Sequence, residues 1–289
     1  LAAWTLKKLC KAKFVYDSHE LFASRNIDNP LRPLLDKTAI VYEHLFIRGT
    51  DAVTAGATGY AREIKRRYKL AEVIPLLNCP YRCESFDDGD SIKAMLPPED
   101  QDAKLLVYVG LITFNRGIEE SLEALKRLPD EYRLVLIGPE NGRYVAKMRE
   151  RCEREGIATR VRFLPPVHFQ KVPQSLHGAF LSVVLIVGVC ESYRLTQPNK
   201  MFESIQARVP VLITDLPGMR ETVDQYDCGV VVKRLDADEI AQAILKLSHH
   251  EGDHRLLVEN CAKAASELCW EKEAEKLIAV YERLGESAV

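Results

Sequence analysis

Residues 104–138 read KLLVYVGLITFNRGIEESLEALKRLPDEYRLVLIG. KLLVYVG and YRLVLIG are short, continuous apolar runs rich in Val, Leu and Ile, each ending in glycine. GIEESLEALKRL between them has helical spacing of its apolar residues. Strand, helix, strand in that order implies two parallel strands joined by a crossover helix, and such strands are buried on both faces.

The same alternation extends in both directions. C-terminal to this stretch come the helix YVAKMRERCERE (144–155), the strands RVRFL (160–164) and FLSVVLI (180–186), a helix in PNKMFESIQAR, and the strand VPVLIT (209–214). A short helix in GMRETVDQY, the strand GVVVK (229–233) and three closing helices complete that half. N-terminal to it, AAWTLKKLCKA is a short amphipathic helix, FVYD (14–17) a strand, roughly 34–49 a long helix, DAVTA a strand, TGYAREIKRRY a helix and EVIPLL a strand. Between the halves, NCPYRCESFDDGDSIKAMLPPEDQDA (78–103) is polar, acidic and Pro-containing, the composition of a linker. Right-handed crossovers make each half a doubly wound unit, with ligands expected at the carboxyl ends of the strands. The expectation is an α/β protein of two lobes: 1–97, 98–270, and a last helix at 271–289 that crosses back to the first lobe.

A chain of 289 residues that is 47% hydrophobic and 28% charged is an ordinary globular composition, long enough for about two domains. A formal charge of −2 carries no nucleic-acid signature. Eight cysteines are scattered through strands and helices, and only Cys79 and Cys83 are close in sequence. No second pair or His set accompanies them, so they read as reduced thiols rather than a metal site, which points to the cytoplasm. AFLSVVLIVGVC, the longest apolar run, is too short to span a bilayer and suits a central strand. No signal peptide is visible, and the chain begins with Leu rather than Met.

Two stretches carry candidate chemistry. In the first, Gly110 lets the backbone turn after a strand, and Arg116 sits at the start of the next helix. There, free N–H groups and the helix dipole favour an anion. Arg116 is either part of such a site or a residue of a solvated loop. In the second, TQPNKMFESIQARVPVL (196–212), Pro198 suits a first helical turn and Thr196 is placed to cap it. The N–H groups of Asn199 and Lys200 then point out of the helix end, and Lys200 adds charge. Glu203, one turn on, is either an exposed helical glutamate or an acceptor for a diol such as ribose. Its apolar neighbours Met201, Phe202 and Ile205 count against a purely solvated face.

The pairing of YVGLITFNRGIEESLEAL with PNKMFESIQARVPVL resembles the nucleotide-sugar half of a family 4 type retaining glycosyltransferase, in a variant with a PNK helix start. RVRFLPPVHFQKVPQSL, CGVVVKRLDADEIAQAI, FVYDSHELF and DAVTAGATGYAREIKRRY with VIPLLNCP are similar to the family in order and spacing across nearly the whole chain. The resemblance implies an α/β fold of the GT-B type: two Rossmann-like lobes with parallel sheets and an interlobe cleft. It implies that Gly110, Arg116, Asn199 and Lys200 hold a diphosphate, that Glu203 binds the ribose, and that backbone groups near Leu164 and Pro165 hold the base. His19, in the loop after FVYD, is implied as the catalytic residue facing the donor sugar. Read from its neighbours alone, it is equally a loop residue hydrogen-bonded to Asp17 or Glu20.

The chain departs from the family pattern at three places. Leu195 stands where a second glutamate is common, with Glu191 nearby as a partial substitute. Leu111 stands where a basic residue commonly follows the glycine. The first lobe starts at what looks like its middle, which leaves FVYD as a sheet edge.

The implied activity is transfer of a sugar from a nucleoside-diphosphate sugar, with UDP or GDP as the nucleotide, to an acceptor hydroxyl. Retention of configuration is implied by the family. No metal and no cofactor beyond the donor substrate are expected, because no DxD-type clamp stands out. Two other readings remain at this level: a nucleotide-sugar epimerase, whose acid/base carboxylates are not placed, and a non-catalytic nucleotide-sugar-binding subunit. KRRYK (65–69) and KKLCKAK (7–13) are either a contact for anionic lipid, in keeping with a glycan or lipid-linked acceptor and a peripheral membrane location, or solvated helix faces.

Overall fold

The computed structural model describes residues 2–24 and 32–286. In chain order the elements are α1 (Ala2–Cys10), β1 (Val15–Ser18), α2 (Arg32–Ile47), β2 (Ala52–Ala55), α3 (Thr58–Tyr68), β3 (Ile74–Pro75), β4 (Lys104–Val109), α4 (Ile118–Leu125), β5 (Tyr132–Ile137), α5 (Gly142–Arg154) and β6 (Val161–Leu164). They continue with α6 (Val172–Leu176), β7 (Leu181–Val184), α7 (Glu191–Leu195), α8 (Asn199–Gln206), β8 (Val211–Thr214), α9 (Pro217–Tyr226), β9 (Gly229–Val232), α10 (Ala237–His249), α11 (Glu251–Glu267) and α12 (Trp270–Glu286). The chain divides into one unit of Leu1–Asn78, Gly188–Gln197 and Trp270–Val289, and another of Cys79–Val187 and Pro198–Cys269.

The first unit holds a parallel sheet in the order β1-β2-β3, with β1 at an edge. Strand alternation sends Val53 and Ala55 to one face, against Tyr60, Ile64 and Tyr68 of α3. Ala52, with Val15 and Ile74, packs on Val280 and Leu284 of α12 from the other face. Glu43 ties α2 to this core by accepting from the Tyr16 hydroxyl at 2.6 Å and from the Tyr68 hydroxyl. β3 is shorter than EVIPLL suggests: pairing is limited to Ile74 and Pro75, and Pro75 has no N–H to give to a ladder.

Segment 188–197 belongs to this first unit although it lies between β7 and α8 of the second. Leu195 packs against the α3 core, the Tyr60 hydroxyl donates to the Ser192 carbonyl at 3.0 Å, and Arg67 pairs with Glu191 at 2.8 Å. Gln197 is buried, and its Oε1 accepts from the Thr58 N–H at 2.8 Å and the Thr58 hydroxyl at 2.9 Å. It thereby caps α3, whose own N-cap residue, Ala57, has no polar side chain to offer. Gln197→Ala is expected to lower stability by about 1 kcal/mol, read as a lower urea midpoint at unchanged slope. An unchanged midpoint would remove this cap from the account.

The second unit holds a six-stranded parallel sheet in the order β6-β5-β4-β7-β8-β9. Counted along the unit this is 3-2-1-4-5-6, so the topology reverses between β4 and β7, where such sheets bind ligands. Leu106, Leu134, Leu136, Leu181 and Val183 face the helices α4, α5 and α10, whereas Leu105, Val107, Val135 and Ile137 face the side covered by α6 and the residues after α8.

The stretch expected as a linker (78–103) is part of this unit rather than a free connection. Ile92 and Leu96 enter the second-face core, and Asp100 is fully buried against Arg133 at 2.5 Å and Arg162 at 2.7 Å. The unit accordingly starts at Cys79, where the sequence suggests a boundary at 97/98. Average polarity hides three residues that anchor the segment.

Candidate functional site

The site is built at the carboxyl end of β4. Gly110 follows the strand with φ +122°, a conformation that side-chain-bearing residues rarely adopt, and its N–H continues the ladder to the Ile137 carbonyl at 2.9 Å. The loop then passes through Ile112, which is fully buried, to Asn115 and Gly117, both left-handed at φ +62° and +69°. Gly117 lies flat on β7's end: a Cβ there would sit 2.3 Å from the Leu185 Cβ. The Val187 N–H reaches the Asn115 carbonyl at 3.3 Å. Arg116 is carried between these two pinned residues and is half-buried. The first turn of α4 already carries Glu119 and Glu120, which answer its dipole. The anion-receptive helix end is therefore that of α8 rather than that of α4.

The start of α8 differs from the sequence expectation in one respect. Thr196 does not cap it; Thr196 closes α7 in an extended conformation. Pro198, extended, occupies the N-cap position itself, and no side chain bonds the first turn. The N–H groups of Asn199 and Lys200 thus open the helix without a side-chain acceptor, and a bound anion would satisfy them.

The structure brings Gly110, Lys200, Glu203 and Arg116 together. Lys200 Nζ lies 3.7 Å from the centre of the Tyr108 ring and 3.3 Å from where a Cβ on Gly110 would stand. Loss of water, then the Arg116 guanidinium, hold the Lys200 ammonium well below the usual lysine range, with Glu203 opposing. Loss of water pushes the Glu203 carboxyl up to about 7, with Lys200 opposing. A guanidinium, an ammonium disfavoured by burial and a carboxyl pushed toward its neutral form leave a net demand for negative charge, and an incoming anion would favour the charged Lys200.

Leu164 sits farther along the same edge of the sheet, at the end of β6, two strands from β4 and so ~10 Å away. Its carbonyl accepts from the Gly138 N–H at 3.2 Å, so this group is engaged in extending the ladder.

His19, in the first unit, follows β1 and is exposed, with Nε2 2.9 Å from Asp17 Oδ2. Asp17 Oδ1 in turn accepts from the Thr54 hydroxyl at 2.7 Å, across the register pair Asp17 and Thr54. The local partner that the sequence suggested is present, and Thr54 extends it into a chain that orients the imidazole. Glu191, the carboxylate nearest in sequence to Leu195, is held by Arg67 and, at 3.2 Å, by the Ser24 hydroxyl.

Two residues escaped the sequence reading. Tyr108 looks like one more apolar strand position, and Thr54 like a small strand residue. Only the register and the path of α8 reveal their partners.

The basic stretches are partly neutralised. Lys7 pairs with Asp51 at 2.7 Å, and Arg66 and Arg67 pair with Glu63 at 2.7 and 3.1 Å. Among the described residues no group of three or more His, Cys, Asp or Glu side chains converges, and no helix is long and apolar enough to cross a membrane.

An anion-receptive helix end beside two cations, at the switch point of a 3-2-1-4-5-6 sheet, defines a doubly wound α/β ligand-binding unit. The chain belongs to the glycosyl transferases group 1 family, whose sequence model matches residues 96–267. It is similar to an uncharacterized glycosyltransferase of Methanocaldococcus jannaschii, at 24% identity over 68% of this chain and 49% of that protein. It is also similar to a D-inositol 3-phosphate glycosyltransferase of Corynebacterium urealyticum, at 24% identity over 98% of this chain and 68% of that one. The chain thus spans roughly half to two thirds of the length of these curated relatives. The fold is that of Anabaena HepE, solved in complex with UDP: TM-score 0.68 and 14% identity over 98% of this chain and 74% of that one.

Proposed function

We propose that this protein is a retaining, metal-independent glycosyltransferase that moves a sugar from a nucleoside-diphosphate donor to an acceptor hydroxyl. The observation that carries this reading is the convergence of Gly110, Arg116, Lys200 and Glu203 at the end of β4. Family membership and the UDP complex of HepE support it.

Arg116, Lys200 and the open end of α8 receive the diphosphate, and Glu203 accepts hydrogen bonds from the ribose hydroxyls. In the transfer, the bond between the sugar C1 and the phosphate oxygen breaks, and a bond to the acceptor oxygen forms. The nucleoside diphosphate leaves with the electron pair, and the acceptor's hydroxyl proton passes to the departing phosphate oxygen. Charge grows on the diphosphate as the bond breaks, so a guanidinium and fixed backbone dipoles aimed there stabilise the transition state more than the ground state. His19, oriented by Asp17 and Thr54, donates a hydrogen bond to the donor sugar.

Calorimetric titration with UDP and with GDP, followed by turnover of labelled donor, tests the reading. UDP, the nucleotide of the HepE complex, is expected to bind, and failure of both UDP and GDP to bind would overturn the reading. His19→Ala is expected to lower turnover roughly tenfold while leaving nucleotide affinity unchanged, the loss of one hydrogen bond to the donor sugar. Unaltered turnover in that variant would remove His19 from the mechanism.

A further inference from the structure

Tyr108 is buried in the interior of β4, yet it ends in a polar group and lies beneath a charge. Its hydroxyl donates to the Leu111 carbonyl at 2.7 Å and so bridges the turn at Gly110. Its ring faces the Lys200 ammonium at 3.7 Å, close enough for a cation to be held by the ring's electron-rich face. The absence of a side chain at Gly110 keeps that path open, since a Cβ there would crowd Nζ at 3.3 Å. Among the described residues no carboxylate lies within ion-pair distance of Lys200.

Lys200 and Glu203 are three apart on α8, the spacing at which opposite charges on a helix meet. A direct pair between them would neutralise the cation meant for phosphate and occupy the carboxylate meant for ribose. The ring offers the ammonium another resting place, on the side of the Gly110 turn.

We propose that Tyr108 is a positioning residue of the donor site, holding the Lys200 ammonium at the Gly110 turn and away from Glu203, so that both charges stay available to the nucleotide. This rests on the nucleotide reading given above, but its first test does not use a nucleotide. In the donor-free protein the Lys200 ε-methylene protons are expected upfield of the other lysines, shifted by the ring. Tyr108→Leu is expected to abolish that shift and Tyr108→Phe to keep it. A Lys200 resonance at the ordinary position in the parent protein overturns the proposal. If the shift is present and neither UDP nor GDP binds, the nucleotide reading fails and the positioning stands.

The second test is binding. Tyr108→Leu is expected to weaken UDP about tenfold, the worth of a desolvated cation over a ring, and Tyr108→Phe only about twofold. Uridine, which carries no phosphate, is also expected to weaken in Tyr108→Leu, because Glu203 is then engaged by Lys200. In Lys200→Met, adding Tyr108→Leu is expected to produce no further loss of UDP affinity. A purely structural role predicts the opposite, the same loss in either background, and that outcome overturns the proposal. Should Tyr108→Leu fail to fold, Lys200→Met decides, compared with the parent at a pH where Glu203 is ionised in both: uridine affinity that does not rise supports a free Glu203, and a gain overturns it.

Discussion

Arg116→Ala is expected to weaken UDP binding on the order of 10²-fold and to lower kcat/KM by about 10²–10³, the range for removing a preorganised cation from a developing anionic charge. The reason lies in how the side chain is delivered. Asn115 and Gly117 on either side are both left-handed, and Gly117 cannot move off Leu185 without losing its contact. The guanidinium therefore arrives at the end of β4 with little reorganisation left to occur on binding. Arg116→Lys keeps the charge and loses the planar fork, so an intermediate loss of roughly tenfold is expected. Calorimetry separates the affinity effect and labelled-donor turnover the catalytic one. An alanine variant that bound UDP as well as the parent would place the diphosphate elsewhere, since Lys200 alone is held back by its own poor hydration.

The sequence shows the larger unit clearly because its strands are short Val/Leu/Ile runs set between helices with strong apolar stripes. β4 and β5 fall within one residue of KLLVYVG and YRLVLIG, since nothing in those runs competes with a strand. Reading fails where a residue is used by a partner distant in sequence. Thr196 looks available to open α8, but Gln197 beside it is drawn to Thr58 in α3, and the chain at Thr196 runs extended. The polar stretch 78–103 looks free because Ile92, Leu96 and Asp100 are outnumbered by solvated neighbours, although each is buried. Glu191 offers a carboxylate at a plausible place, and only the docking of 188–197 on the first unit shows that Arg67 has it. Gly110, Arg116 and Lys200 stand out in the sequence because each sits at or beside the end of a predicted element, where backbone groups and dipoles accumulate, whereas Glu203, one turn into α8, joins them only through the family resemblance. Tyr108 does not stand out, because a strand's side-chain alternation says nothing about what reaches over its end.

Glu203 carries the other large expectation, and its sign follows from its surroundings. Burial lifts this carboxyl from 4.5 to about 7, against the pull of Lys200, with Arg116 the other charge in the group. Between those two values the folded protein keeps a proton that the unfolded chain has released. Stability therefore falls as pH rises from about 4.5 to 7, and the penalty is complete above that window. Its size is at most about 3 kcal/mol and is expected nearer 1–2, because the side chain keeps some contact with water. Glu203→Gln is thus expected to match the parent near pH 4.5 and to exceed it at pH 8 in a urea melt. Binding should move the opposite way. An ionised carboxylate accepts both ribose hydroxyl protons, whereas an amide accepts through one oxygen only. Uridine affinity in the parent is expected to rise between pH 6 and 8, and the Gln variant should be weaker by about tenfold at pH 8 and flat across the range. A glutamate that destabilises its own helix at the pH where it binds best is one kept for a ligand. Were Glu203→Gln to show the parent's pH slope, or to lose stability at pH 8, the carboxylate would be an ordinary surface group and the ribose would need another acceptor.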